Sequence, residues 1–247
     1  MPAYCNNDIR SAFSNNYRRT IKMSDTSSTS SLASSAAISG NPFKESEYFE
    51  LAEASLDRHW EYFIKPMIGG KRYETAIDLA IGWGRNTEML RRISDRVIGV
   101  DINQECIDHC IKRFEGVDNV DFLKTDGTEL TGIEDESIDL VYCFDAMVHF
   151  QPEVVDAYVT EFARVLKPGG IGFIHHSNWT QALGGNFQEQ PHWRNYMCAE
   201  MFAYFVQRDG LKMLDQRIVS WDESIPGAAE SPNFMPNLDC ISTFTKA

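Results

Sequence analysis

Three carboxylates stand where apolar runs end. Thr75-Ala76-Ile77 leads into Asp78, Val97-Ile98-Gly99-Val100 into Asp101, and Phe122-Leu123-Lys124-Thr125 into Asp126-Gly127. After the first acid comes Leu79-Ala80-Ile81-Gly82-Trp83-Gly84-Arg85, a Gly-x-Gly turn that lets the backbone bend tightly and a ligand approach closely. An ionised carboxylate only accepts hydrogen bonds. Asp101 therefore suits the paired hydroxyls of a ribose, and Asp126 an exocyclic adenine amine. A lone Gly-x-Gly occurs in many strand-to-helix turns; acids at three successive strand ends shift the balance towards a binding rim. Further along, Phe144-Asp145 and His149 follow a fourth apolar run, and His175-His176 end a fifth. With an ordinary pKa of about 6.5, His149 is the first candidate for a general base, against the alternative of a histidine that orders its loop. His176 is the second. Alternation along a strand sends His175 and His176 to opposite faces, so one of them at most faces a pocket easily. Asp145 orients a histidine or a substrate hydroxyl, or caps the next turn.

The elements that must position these groups follow a regular alternation. Strands are expected at 75–79, 96–101, 120–124, 137–143 and 170–175, with helices at 86–94, 104–115 and 152–166 between them. A further helix at 199–209 precedes strands near 212–220 and 240–245. Strand and helix in turn imply βαβ units, a parallel sheet and right-handed crossovers. A helix from Glu45, with Phe49, Leu56, Trp60 and Phe63 on one stripe, precedes the first strand and ends by Pro66 and Gly69-Gly70. Segments 177–198 and 221–238 are long and irregular, as walls of binding sites often are. Within the first, Gln188–Tyr196 mixes amides, aromatics and Arg194, a mixture that suits a polyhydroxylated substrate or, equally, a polar surface loop.

The stretch 74–175 resembles the S-adenosylmethionine-binding core of class I methyltransferases. The matching pieces are Asp78–Arg85, Asp101, Thr125-Asp126, Ser137–Val141 and the run Phe162-Ala163-Arg164-Val165-Leu166-Lys167-Pro168-Gly169-Gly170. The resemblance implies a three-layer Rossmann-like α/β fold with a seven-stranded, mostly parallel sheet and one antiparallel strand. It also implies a cofactor site. Asp78 would face the methionine end, and Ala80, Gly82, Gly84 and Arg85 would form the loop beneath sulfonium and ribose. Asp101 would bind the ribose, Ile102 would pack on adenine, Thr125, Asp126 and Gly127 would hold the adenine edge, and Phe144 would lie beside the sulfonium. Ala80 stands where the family usually has Gly. A nicotinamide cofactor competes, but its GxGxxG fingerprint fails at Thr87. An acid just before the glycines suits a cation and sits badly beside a pyrophosphate.

The remaining composition narrows the substrate. The chain of 247 residues has a formal net charge of −13, and Arg10, Arg18, Arg19 and Lys22 lie in its first segment, leaving the body more acidic still. Such a body repels a phosphate backbone, so nucleic acid is not expected as substrate. No run approaches the roughly 20 apolar residues of a membrane helix, and no apolar leader segment is visible. Cys5, Cys106, Cys110, Cys143, Cys198 and Cys240 form no CxxC pair, which reads as reduced thiols of a cytoplasmic protein. No compact metal-ligand motif occurs, so no metal is expected. Residues 1–43, Ser-rich from Ser24, are expected to be a disordered extension, with the catalytic domain at 44–247. The reading is methyl transfer to a small-molecule acceptor, a hydroxyl of a sugar or another polar metabolite. N- or C-methylation and a non-catalytic binding module are the alternatives. Oligomeric state is not legible.

Overall fold

The computed structural model describes residues 26–40, 42, 46–181, 187–220, 228–230 and 234–247. Its centre is a seven-stranded sheet in the order β3-β2-β1-β4-β5-β7-β6. The strands are β1 (Tyr73–Leu79), β2 (Ser94–Asp101), β3 (Val120–Lys124), β4 (Ile138–Cys143), β5 (Leu166–Ser177), β6 (Leu211–Val219) and β7 (Asp239–Lys246). Pairing is parallel from β3 to β5, and β7 runs antiparallel to both β5 and β6. The expected three-layer fold with one reversed strand is therefore present, and each predicted strand and crossover helix lies within a few residues of its expected bounds.

Helices cover both faces. Four follow strands: α4 (Arg85–Ile93), α5 (Gln104–Arg113), α6 (Pro152–Val165) and α7 (Ala199–Arg208). Before β1 stand α1 (Thr26–Gly40), α2 (Ser46–His59) and α3 (Lys65–Ile68), the last two joined through a π-helical turn at Trp60–Ile64. The period of two along β4 divides the core. Val141 and Cys143 pack with Val155, Val159 and Phe162 of α6 and Phe202 of α7, while Leu140 and Tyr142 pack with Trp60, Ile64 and Leu90 on the other side. Both faces of β4 and β5 are buried, as helices on either side of a parallel sheet require.

Within the extension expected from sequence to be disordered, Thr26–Gly40 form α1, and Ala36 of that helix joins the main core cluster. Small Ala and Ser side chains bury little area each, yet they allow close packing against α6. Residues 1–25 and the boundary at 43–44 lie outside the described residues.

Candidate functional site

In an open α/β sheet, ligands bind beyond the carboxyl ends of the strands, where strand order reverses. Here the reversal lies between β1 and β4, and a cavity of about 910 Å³, counted with its mouth, opens there. Its floor is the β1 exit, Leu79 to Trp83, and one wall is the β2 exit, Val100 to Asn103. The β4 exit, Phe144 to Ala146, and His149 form the opposite wall. Ala36, Ser39 and Gly40 of α1 and Tyr48 and Phe49 of α2 close it from above.

The β1 exit folds as its glycines require. Gly82 and Gly84 have φ of +54° and +81°, in the left-handed region. Gly84 caps α4 and donates to the Ile81 carbonyl at 2.9 Å. Gly84 thus shapes the turn but does not line the cavity. Outside the loop, Trp83 is sandwiched between Phe49 and His109, with ring centroids 5.1 and 4.1 Å away.

Of the three rim acids, only Asp101 lines the cavity. Its carboxylate accepts the Gly82 N–H at 3.0 Å and the Asn103 N–H at 2.8 Å. Asp101 is buried with no ion-pair partner among the described residues, and desolvation raises its pKa to about 6. Asp78 lies one layer beneath. It accepts the Thr87 hydroxyl at 2.6 Å, and burial lifts its pKa to about 7. Asp126 points elsewhere: it is exposed, and its carboxylate accepts both the N–H and the hydroxyl of Thr128. Thr125 is also absent from the wall; its N–H donates to the Asp101 carbonyl at 3.0 Å, which ties β3 to β2. Asp126 and Thr125 thus do not line the cavity, while Gly127 and Ile102 do.

Arg85 lines the cavity but its guanidinium is committed. It donates to the Ala52 carbonyl at 2.8 Å and pairs with Asp145 at 2.7 Å, so it ties α2 to the β4 exit. Asp145 also accepts the Tyr48 hydroxyl at 3.0 Å, and Arg85 holds its pKa down at about 2 against the cost of burial. The Asp145 N–H donates to Nδ1 of His175 at 3.1 Å. That places the His175 proton on Nε2, which faces Asp239 at 3.1 Å. Asp239 in turn is gripped at both oxygens by Arg194, at 2.8 and 2.7 Å. Arg194, read from sequence as part of either a substrate-binding wall or a polar surface loop, is buried in this pair.

The two histidine candidates separate. His149 lines the cavity, buried, with Nδ1 2.7 Å from the Trp193 carbonyl. A carbonyl can only accept, so the proton sits on Nδ1 and the other lone pair lies at Nε2. Desolvation and Arg194 lower its pKa to about 4. His176 does not face the cavity. It stacks on Phe202 of α7 and bonds the Ser242 hydroxyl at 2.8 Å, so strand alternation has turned His175 towards Asp145 in its place. His176 is thereby corrected to a core residue. Tyr48, Ser39 and Phe49 were missed from sequence because they come from helices ahead of the motif; only the apolar stripe of α2 hinted that this helix packs on the sheet.

Among the described residues no group of three or more His, Cys, Asp or Glu is arranged to hold a metal, and no helix is long and apolar enough to cross a membrane. Residues 76–170 match the methyltransferase domain family. Phosphoethanolamine N-methyltransferase 1 of Triticum aestivum is 32% identical over 139 residues, which cover 53% of this chain and 26% of that protein. The mitochondrial ubiquinone biosynthesis O-methyltransferase of Homo sapiens is 30% identical over 167 residues, covering 60% of this chain and 43% of that protein. The chain thus spans between about a quarter and a half of the length of these curated relatives. The crystal structure of PH0226 protein from Pyrococcus horikoshii OT3 superposes with a TM-score of 0.56 at 20% identity, over 83% of this chain and 93% of that one, which shows the shared fold.

Proposed function

We propose that the chain, whose residues 76–170 match the methyltransferase domain family, transfers a methyl group from S-adenosylmethionine to a hydroxyl of a small-molecule acceptor. The observation that carries the reading is Asp101: a carboxylate buried in a cavity wall, held by two backbone N–H groups and paired with no cation among the described residues. Such a group is costly unless a ligand supplies donors or positive charge. A ribose diol supplies the donors. Asp78, buried beneath the same loop, adds negative potential when ionised under a ligand that is itself cationic. Ile102 offers an apolar face for a base, and Gly127 beside it leaves the backbone close. The residues present therefore fit S-adenosylmethionine.

When bound, that cofactor supplies an activated methyl on a sulfonium. The chain's own work is to align the acceptor and take up its proton. We assign the proton to Nε2 of His149, whose tautomer the Trp193 carbonyl fixes. Asp145 and Phe144 form the wall between this histidine and the sheet. A sugar is not what the wall favours. Arg194 is spent on Asp239, Gln190 accepts the Trp179 indole N–H, and Asn195 bonds the His149 carbonyl.

Calorimetric titration of the full chain with S-adenosylmethionine tests the reading. Wild type is expected to bind, and Asp101→Asn to bind at least about tenfold more weakly, since it loses acceptor capacity towards the diol. Absence of heat from folded wild type removes the proposal. Incubation with methyl-labelled cofactor and a panel of phenols, alcohols and amines then identifies the acceptor atom; label on amines alone would replace O-methylation by N-methylation.

A further inference from the structure

His192 and Trp193 both have left-handed backbones, with φ of +49° and +56°. L side chains seldom take that conformation, and then as single residues rather than in succession. Such strain persists only where the surroundings hold it, and it gathers at functional sites. The Trp193 indole is exposed, so burial of the side chain does not hold it. Polar groups around the turn do. The Trp193 N–H donates to the Gln190 carbonyl at 3.0 Å, and the Arg194 N–H to that of Pro191 at 3.1 Å. The Arg194 guanidinium, anchored on Asp239, also donates to the His192 carbonyl at 2.8 Å.

The turn held in this way carries one group to the cavity wall, the Trp193 carbonyl, 2.7 Å from Nδ1 of His149. Asn195 grips the same histidine by its backbone. Its N–H and its side-chain amide donate to the Val148 and His149 carbonyls at 3.0 and 3.2 Å. Neither His192 nor Trp193 lines the cavity itself. Burial and Arg194 lower the pKa of His149 to about 4, so at neutral pH one proton is divided between two ring nitrogens. In free neutral histidine that proton prefers Nε2. A proton there would make Nε2 a donor, unable to take another from an acceptor hydroxyl. An acceptor placed at Nδ1 reverses the preference.

We propose that Trp193 is a positioning residue: its left-handed backbone, locked by Arg194, aims the carbonyl that keeps the His149 proton on Nδ1 and the lone pair on Nε2. This deepens the methyltransferase reading and rests on it. The role belongs to the backbone, so it dictates which residues position 193 tolerates. Glycine takes a positive φ at no steric cost. Proline, fixed at about −65°, cannot take it and turns the carbonyl away.

The test uses the full chain with ¹⁵N-labelled histidine, without cofactor, at neutral pH. Comparison with His149→Gln assigns the His149 ring signals, and the ¹⁵N shift tells a protonated ring nitrogen from an unprotonated one. Wild type and Trp193→Gly are expected to favour the proton on Nδ1 by at least about fivefold, and Trp193→Pro to favour it on Nε2. Both variants lack the indole, so the contrast between them reads the backbone alone. A merely structural role would move stability and leave the tautomer where it is. A proton on Nε2 in wild type or in the Gly variant, or one that stays on Nδ1 in the Pro variant, overturns the proposal. Should the Pro variant not fold, the wild-type and Gly spectra decide. Titration of wild type with S-adenosylmethionine keeps the two readings apart: failure to bind removes the transferase reading, whereas a wrong tautomer in protein that binds removes only the role of Trp193.

Discussion

Ala80 has φ of +58°, a conformation that costs an L side chain about 1–2 kcal/mol and glycine almost nothing. It lines the cavity, so the chain carries strain in the floor of its own site. Ala80→Gly is expected to stabilise the fold by roughly 0.5–1 kcal/mol, the relief being partly offset by a freer unfolded chain. Urea denaturation measures it, and an equal or lower midpoint would show that the strain is absent. Asp78 gives the second residue-scale prediction. Its folded pKa, about 7, lies above the unfolded value of 3.8. The associated stabilisation is complete below pH 4 and drains away as pH climbs through 7. Asp78→Asn keeps an acceptor for Thr87 and removes the titration. In cofactor-free protein, its stability relative to wild type should therefore rise between pH 4 and pH 8, by a few kcal/mol at about 1.4 kcal/mol per pKa unit. Chemical denaturation at those two pH values checks this; a difference that does not change with pH would place Asp78 in a solvated setting. Asp78 and Asp126 together also mark the limit of sequence reading. A strand end tells where a carboxylate starts, but not whether Thr87, nine residues on, draws it down or Thr128, two residues on, draws it outward.

The alternation of β and α was legible because each buried strand is a short apolar run and each crossover helix carries a stripe of period 3.6. The helix α1 was not. Its sequence, TSSTSSLASSAAISG, has no acid in the first turn and no base in the last, and its small side chains give no stripe. What holds it is tertiary: the Ser39 hydroxyl donates to the His149 carbonyl at 3.0 Å, and Asn103 donates to the Gly40 carbonyl at 3.1 Å. Both bonds reach the cavity walls, so α1 should matter more to ligand than to fold. A chain lacking residues 1–40 is expected to keep its sheet, seen by circular dichroism. Its S-adenosylmethionine affinity should fall by at least about tenfold, since it loses wall area and two ordering bonds. Unchanged affinity would reduce α1 to an appendage.

Across the whole molecule, one polar chain runs along the carboxyl-end rim of the sheet, from the cavity to the start of β7. It runs from Arg85 and Tyr48 through Asp145 to His175, Asp239 and Arg194, and so joins α2, the β4 exit, β5, β7 and the segment before α7. Nothing in the sequence showed this, because its members are far apart along the chain and look like ordinary charges. Its energetics follow from burial. The Arg194–Asp239 pair has side chains only 2% exposed, so the attraction offsets a large desolvation cost and the pair adds little net stability. Breaking it from one side is another matter, because a bare charge remains inside. Arg194→Met is expected to destabilise the fold by about 3–5 kcal/mol, and Arg194→Met with Asp239→Leu to recover much of that loss, apart from the orphaned His175 Nε2. The pair holds Asp239 far below the ordinary carboxylate range. Its contribution is therefore present above pH 4 and disappears as pH falls below it, so the double variant should lose less stability than wild type between pH 4 and pH 2. Denaturation of all four members of the cycle at pH 7, and of wild type and double variant in acid, measures both effects. Additive single losses would mean that the two charges do not sense each other. The β5–β7 register would then have to be held by its backbone ladder and apolar packing alone.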